Sequence, residues 1–143
     1  MKWMIASDLH GSAFYCKKMI KAFERERADR LLLLGDLLYH GPRNDLPEGY
    51  APKEVIPLLN GLKPALLCVR GNCDAEVDQM VLDFPILADY AVLQVVHRVG
   101  VLPARLRWHG RWQCVAAATR KIHAPTIIMI FFLTSCSSLF MAM

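Results

Sequence analysis

The last third of this chain lacks acidic residues altogether. All 13 Asp and Glu residues lie between positions 8 and 89, and residues 1–89 also carry 11 Lys and Arg residues, which gives that part a net charge of −2. Residues 90–143 carry six basic residues and no acid, for a net charge of +6. At ordinary usage an acid-free run of this length arises by chance in about one sequence in a thousand. The chain therefore changes character near residue 90, whereas its overall charge of +4 is too small to indicate a nucleic-acid partner.

The sequence shows neither a paired-cysteine pattern nor the long apolar region typical of a signal peptide. The five cysteines form no CxxC pair and no even-numbered framework, which predicts free thiols in a reducing cytoplasm. The apolar run that precedes Asp8 is too short for the apolar region of a signal peptide. These absences predict a cytoplasmic protein, and 143 residues suffice for one domain with a buried core.

Short apolar segments alternate with amphipathic ones through the first 90 residues. The segments at 2–7, 31–34 and 65–69 are typical of buried strands. Helices are predicted at 12–27 and 51–59, the second with Pro52 in its first turn. A helical turn or two at 75–82 and a fourth strand at 90–96 are predicted to follow. This alternation predicts an α/β fold with a parallel sheet covered by helices.

Polar clusters follow each of the first three predicted strands. Asp8 and His10 come after the first, Asp36 after the second and Asn72 after the third. The carboxyl ends of parallel strands meet at one edge of the sheet, where ligands bind. Carboxylates, imidazoles and amide oxygens suit divalent metals, and two such metals can bind a phosphate ester and generate a nucleophile at neutral pH. The alternative is that these polar residues only cap helices and form turns in three ordinary loops. His is not a residue type that caps or turns favour, so this alternative does not explain His10.

Three segments carry a family resemblance: SDLHG at 7–11, LGDLLYHGPRN at 34–44 and RGNCD at 70–74. Together they resemble the calcineurin-like metallophosphoesterases, and within that family the YfcE-type bacterial phosphodiesterases. The similarity is nearly continuous from residue 1 to about residue 94. It implies the N-terminal half of a metallophosphoesterase α/β sandwich, followed by an atypical C-terminal tail.

The resemblance also implies a set of site residues. Asp8 and His10 would bind a first metal, Asp36 would bridge, and Asn72 would bind a second metal. The implied cofactors are two divalent ions, manganese or similar, and the implied substrate is a small phosphodiester. Cys73 stands where many members of the wider family carry a catalytic His. Because a thiol is a poor proton donor compared with imidazolium, we interpret Cys73 as adjacent to the site and assign no catalytic residue.

Three further side chains are candidates for phosphate binding: Arg43, Asn44 and Arg70. The alternative for the two arginines is an ordinary solvated surface position.

The family pattern continues with a strand-end His and then Gly-His-x-His, and neither is recognisable after residue 95. The remaining histidines, His97, His109 and His123, have no second His two positions away. The first metal would therefore lose one ligand and the second would lose two. We expect a partial metallophosphoesterase domain at 1–95, a non-family tail at 96–143 and impaired hydrolysis.

Several hypotheses for the tail remain open. A frameshift near residues 95–97 would explain the simultaneous loss of family pattern and acids, and translating the downstream DNA in the other frames tests it. The uncharged run at 126–143 is near the lower limit for a membrane span and could form a tail anchor. The chain could also be an inactive metal- or phosphate-binding remnant. The oligomeric state is left open.

Overall fold

The computed structural model of the chain describes residues 2–42, 44–95, 98–103 and 127–129. The elements in chain order are β1 (Trp3–Ala6), α1 (Ala13–Arg25), β2 (Arg30–Leu33), α2 (Pro52–Gly61), β3 (Leu66–Cys68), α3 (Glu76–Gln79), β4 (Tyr90–Val95), β5 (Arg98–Pro103) and β6 (Ile127–Met129). A short 3₁₀ turn, Lys63–Ala65, leads into β3. The predicted α/β class is confirmed.

A parallel sheet with the strand order β3-β2-β1-β6 forms the centre of the molecule. Met4 of β1 pairs with Leu31 of β2, and Leu31 pairs in turn with Leu66 of β3. On its other side Met4 pairs with Ile128 of β6. The first three predicted strands therefore lie side by side in one sheet, so their carboxyl ends point to the same edge.

The central strands are apolar because both faces of the sheet are covered. Met4 and the three leucines of β2 (Leu31, Leu32, Leu33) are fully buried. Strands buried on both faces appear in sequence as continuous apolar runs, which is the pattern that predicted them. These residues anchor the core that fixes the positions of the loops at the carboxyl edge.

Helix α1 begins after a residue whose side chain caps it, and it buries one row of side chains against the core. The Ser12 hydroxyl accepts the backbone N–H of Tyr15 at 3.1 Å, which satisfies one of the free N–H groups of the first turn. Its buried residues lie three positions apart, a spacing that keeps them on one side of an amphipathic helix: Ala13, Cys16, Met19 and Ala22. The predicted helix is confirmed.

Helix α2 extends further than expected. Pro52 lies in the first turn as predicted, but Pro57 lies inside the helix, which continues to Gly61. Val55 and Leu59, four residues apart, are buried against the core, and their packing holds the helix together past the proline.

Strand β4 forms where a fourth strand was predicted, but it lies outside the parallel sheet. It pairs antiparallel with β5, from Tyr90 opposite Pro103 to Val95 opposite Arg98. The burial of the strand agrees with this arrangement: Tyr90 is 63% exposed, Ala91 8% and Val92 53%. Such alternation is typical of an antiparallel strand with one solvated face, whereas a strand buried in a parallel sheet is apolar throughout.

Few residues of the predicted tail are described. Strand β5 lies in a stretch whose sequence shows no clear period, and β6 lies within the uncharged run at 126–143. Within 2–42, 44–95, 98–103 and 127–129, no helix is long and apolar enough to cross a membrane. Most of the run proposed as a tail anchor lies outside the described residues, so that alternative stays a prediction.

Candidate metal centre

The loops that follow β1 and β2 are joined through their backbones. The N–H of Asp8 donates to the carbonyl of Gly35 at 3.2 Å, and the N–H of His10 donates to the carbonyl of Asp36 at 2.9 Å. These bonds extend the pairing of the strands past their ends. Asp8, His10 and Asp36 are therefore brought to one place, as their positions after parallel strands predicted.

These same three residues have left-handed backbones. The φ angles are 61° for Asp8, 44° for His10 and 57° for Asp36, and Arg27 is the one other non-glycine residue with positive φ within the described ranges. Left-handed conformations cost free energy for residues with a Cβ and persist where the surrounding structure enforces them. The concentration of strain at three neighbouring polar residues is typical of a functional site.

His10 is oriented so that one ring nitrogen faces the carboxylates. Its Nδ1 lies 2.7 Å from the carbonyl oxygen of Tyr39, and because a carbonyl only accepts, Nδ1 carries the proton. Nε2 lies 3.4 Å from Asp8 Oδ1 and 3.9 Å from Asp36 Oδ2. A histidine that donates one N–H to a backbone carbonyl presents its other nitrogen to a metal.

Burial and the neighbouring charges change the acidity of these groups. Burial raises the pKa of Asp36 to about 6, the charges of Asp8 and Asp74 add to the rise, and the N–H of Cys73 opposes it. For His10 burial lowers the pKa, but the hydrogen bonds to Asp8 and Tyr39 and the nearby carboxylates outweigh burial, so the pKa lies above its usual value. A divalent cation bound beside these groups would supply positive charge that balances the carboxylates.

Cys73 lies within the cluster. Its backbone N–H donates to Asp36 Oδ1 at 2.7 Å. Its sulfur, a ring nitrogen of His10 and a carboxylate oxygen of Asp36 all lie within 4.8 Å of one another. From the sequence we expected Cys73 beside the site; in the structure its sulfur is one of the potential donor atoms.

Asn72 lies at the rim. Its side chain is exposed, and its Nδ2 donates to the sulfur of Cys73 at 3.1 Å. The amide is thus next to the donor cluster, and its oxygen is the atom able to bind a cation. Its assignment to a second metal stays a prediction.

Asp74, which was not among the predicted site residues, holds two loops together. Its carboxylate is buried and accepts three backbone N–H groups, from Asp36 at 2.8 Å, Leu37 at 2.9 Å and Gly71 at 2.7 Å. Bonds to an ionised acceptor are about twice as strong as neutral ones. The signal available in the sequence was an Asp in a strand-end loop, a residue that commonly accepts backbone N–H groups.

Two glycines allow these loops to approach each other. A Cβ on Gly71 would collide with the backbone N and the carboxylate of Asp36, and a Cβ on Gly35 would collide with the backbone of Gly71. Gly35 also has a φ of 90°. Asp36 and Asn72 each follow a glycine, because a side chain at Gly35 or Gly71 would push the two loops apart.

Of the predicted phosphate contacts, Asn44 lies near the cluster. It is exposed, and its Nδ2 donates to the carbonyl of His40 at 3.1 Å. A Cβ built on Gly41 would lie 3.1 Å from Asn44 Nδ2 and 3.5 Å from Cys73 Sγ, so the loop after β2 carries Asn44 to the sulfur side of the cluster.

Arg70 already has partners within the chain. Its Nε donates to the carbonyl of Asp74 at 3.2 Å, and its Nη2 lies 3.2 Å from Glu76 Oε1. The role of Arg70 toward phosphate stays a prediction. Arg43 and the three later histidines (His97, His109, His123) lie outside the described residues, as does most of the tail in which ligands were expected to be missing.

Comparison with known proteins decides the family. The sequence profile described as calcineurin-like phosphoesterase matches residues 1–132. The chain belongs to this family. The resemblance inferred from the three sequence segments is thereby confirmed, and membership implies divalent metal ions.

Two relatives and one solved structure specify the position of the chain within the calcineurin-like phosphoesterases. The chain is 52% identical to phosphodiesterase YfcE of Escherichia coli K12 over 90 residues. This aligned region covers 63% of this chain and 49% of the relative. The same values hold for phosphodiesterase YfcE of Escherichia coli O157:H7. The solved structure of YfcE, a phosphoesterase from E. coli, matches with a TM-score of 0.70 and 47% identity over 72% of this chain and 57% of that one.

The chain thus spans about half the length of the curated relatives that it matches. The family profile extends past residue 95, and β6 within that extension pairs with β1. The division into a partial domain at 1–95 and a non-family tail at 96–143 stays a prediction, as does the frameshift hypothesis.

Proposed function

We propose that this calcineurin-like phosphoesterase hydrolyses small phosphodiesters with two divalent metal ions, preferably manganese. The observation that carries the proposal is the orientation of His10. Its Nε2 lies between Asp8 at 3.4 Å and Asp36 at 3.9 Å, while Nδ1 is held by a backbone carbonyl. This arrangement supports a metal site rather than a network of caps and turns, because neither would orient an imidazole toward two carboxylates.

The proposal assigns a task to each residue type. Asp8 and His10 hold the first metal, Asp36 contributes to both and Asn72 holds the second. When bound, the metals neutralise phosphate charge and supply a nucleophile at neutral pH. The oxygen and nitrogen donors among these residues suit manganese.

The rim of the cluster supports a diester as the substrate. Arg70, the cation of the third loop, is already paired with Glu76 at 3.2 Å. The neighbouring polar groups Asn44 and Asn72 are neutral amides, which can donate to phosphate oxygens without adding charge. A rim of this kind favours a diester, which carries one negative charge, over a monoester, which carries up to two.

The tail determines how much activity remains. The described part of the chain brings three strong donors, Asp8, His10 and Asp36, into contact, which is fewer than two metal shells require. We therefore propose weak turnover, and the second candidate is a metal-binding remnant without turnover. The proposed compartment is the cytoplasm, which would keep Cys73 reduced, in agreement with the free thiols of Cys16 and Cys68.

Metal content by mass spectrometry, combined with hydrolysis of a chromogenic phosphodiester in the presence of manganese, tests the proposal. Two metals with turnover identify the enzyme, and about one metal without turnover identifies the remnant. Asp36→Asn should abolish both metal binding and turnover. Asp83→Asn, an exposed Asp outside the cluster, is the matched control and should change neither.

A further inference from the structure

Three aromatic rings, those of Tyr39, His40 and Tyr50, pack against one another beside His10. The ring centroids lie 4.9 Å apart between Tyr39 and His40 and 5.4 Å apart between His40 and Tyr50. The interplanar angles are 66° and 79°, so each ring meets the next edge to face, a geometry that aromatic pairs prefer. The three rings therefore form one packed unit, which we call the aromatic row.

Both ends of the aromatic row are attached to the loop that carries His10. At one end the carbonyl of Tyr39 accepts the Nδ1 proton of His10 at 2.7 Å. At the other end the ring of Tyr50 covers Gly11, the residue after His10, so closely that a Cβ on Gly11 would lie 2.6 Å from Tyr50 Cε2. The row therefore borders the place where the proposed function puts the phosphate.

Packing orients the middle ring of the row. Nδ1 of His40 is buried and has no hydrogen-bond partner within the described part of the chain. A buried polar atom without a partner costs free energy, which the ring contacts with both tyrosines have to offset. His40 is therefore held as an aromatic ring between Tyr39 and Tyr50, and a rigid arrangement of this kind lowers the cost of binding a ligand.

Tyr39 is the most exposed member of the row. Its side chain is 42% exposed, whereas His40 and Tyr50 are half-buried. The same loop carries Asn44, the proposed phosphate contact, whose Nδ2 donates to the carbonyl of His40 at 3.1 Å. An aromatic surface with a few polar groups beside it is typical of sites that bind small organic ligands.

We propose that Tyr39 determines the specificity of the site by stacking against a planar aromatic group of the substrate. A phosphodiester carries two organic groups, one that leaves and one that stays on phosphorus, and the second is the group assigned to the aromatic row. A flat ring gains more from an aromatic face than a small alkyl group does. The inference rests on the proposed function, because the metal centre has to hold the phosphate for the retained group to reach Tyr39.

Two chromogenic diesters with the same leaving group test the inference. Phenyl p-nitrophenyl phosphate and methyl p-nitrophenyl phosphate both release p-nitrophenol and differ in the group that stays on phosphorus. With manganese present, kcat/KM is measured for both diesters, and the ratio of phenyl to methyl is compared between variants. Tyr39→Leu should lower this ratio by about three- to tenfold, the loss of one aromatic contact. Tyr39→Phe, which keeps the ring, should retain the ratio of the wild type.

Tyr90→Leu is the matched control. It removes a tyrosine that is 63% exposed on β4, and it should leave the ratio unchanged. Metal content should be equal in all variants, because Tyr39 contacts His10 through its backbone. An unchanged ratio in Tyr39→Leu overturns the inference. An equal fall in Tyr39→Phe also overturns it, because the hydroxyl and not the ring would then be the contact.

A binding measurement that needs no turnover separates this inference from the proposed function. Saturation-transfer NMR with diphenyl phosphate and diamagnetic magnesium should show a signal on the phenyl protons that falls in Tyr39→Leu and persists in Tyr39→Phe. Such a signal without hydrolysis of either chromogenic diester supports the aromatic contact and overturns the hydrolase. Hydrolysis with a ratio that Tyr39→Leu does not change overturns the aromatic contact and leaves the hydrolase intact. The absence of both hydrolysis and phenyl signal overturns both proposals.

Discussion

The carboxylate of Asp74 accepts the backbone N–H of Asp36 at 2.8 Å, and the carboxylate of Asp36 accepts the backbone N–H of Cys73 at 2.7 Å. Each of the two loops thus holds the backbone of the other through a buried carboxylate. The loop that follows β3 fixes the position of the donor that follows β2. The metal centre is therefore a product of loop-to-loop contacts as well as of the sheet beneath them.

Asp74→Asn should destabilise the fold as well as the site. An amide offers one accepting oxygen in place of two charged ones, so at least one buried N–H group among Asp36, Leu37 and Gly71 loses its partner. An unsatisfied buried donor costs about 1–3 kcal/mol. Urea unfolding should show a loss of about 2 kcal/mol, while exposed Asp83→Asn should stay within about 0.5 kcal/mol of wild type. Equal stability of the two variants would show that the loops are held by other contacts.

Gly71→Ala should be destabilising through steric collision. A Cβ at this position would overlap the backbone and carboxylate of Asp36, and neither can move without breaking the loop contacts. Overpacking of this kind costs about 1–3 kcal/mol. The matched control is Gly61→Ala at the end of α2, where a Cβ would meet nothing within 4 Å. That variant should be neutral or slightly stabilised, because alanine favours a helix; thermal unfolding of both variants measures the difference.

Metal affinity should fall as the pH falls through about 6. Asp36, whose pKa is raised to about 6, and His10, whose pKa is also raised, must both lose a proton to bind a cation. Below that pH the apparent affinity should decrease by about tenfold per pH unit for each proton displaced. Calorimetric titration in buffers of different ionisation enthalpy counts the protons released. An affinity independent of pH between about 5 and 8 would contradict the assignment of these two ligands.

Without metal, the free energy of unfolding should decrease as the pH rises, whereas the metal affinity decreases as the pH falls. The folded pKa of Asp36 lies above its ordinary value of 3.8, so its contribution to stability is fully present below pH 3.8 and is lost as the pH rises through about 6. The shift corresponds to a loss on the order of 3 kcal/mol. Urea unfolding with a chelator should show this decline, and a saturating divalent ion should reverse it. Asp36→Asn should flatten the decline in the chelated protein.

Asn44→Ala should affect the substrate and not the metal. Asn44 is exposed on the sulfur side of the cluster and is not among the proposed metal ligands, so metal stoichiometry and unfolding should stay unchanged. The loss of one hydrogen bond to phosphate should raise KM for a chromogenic diester by about three- to tenfold. The neighbouring Asp45→Ala, also exposed, is the control. An unchanged KM in Asn44→Ala would remove this residue from the substrate site.

Much of the site could be predicted because its main residues lie in short sequence patterns, each within a few residues of a strand end. Apolar runs ending in polar residues indicate buried parallel strands, and parallel strands bring their carboxyl ends to one edge. The sequence alone therefore predicts that Asp8, His10 and Asp36 lie close together. The role of Asp74 could not be predicted, because an Asp in a turn-rich loop gives no sign of which backbone N–H groups it accepts.

The sequence by itself determined the resemblance to the family, the positions of the first three strands along the chain and the identity of the main donors, since these follow from residue type and from patterns of a few residues. Tertiary structure alone decided that β4 pairs with β5, that β6 lies beside β1 and that the sulfur of Cys73 lies within 4.8 Å of donors on two other loops. Strand partners and distances between loops depend on contacts between residues far apart in the chain. A local pattern shows that a segment can form a strand or a ligand loop, while packing determines what lies next to it.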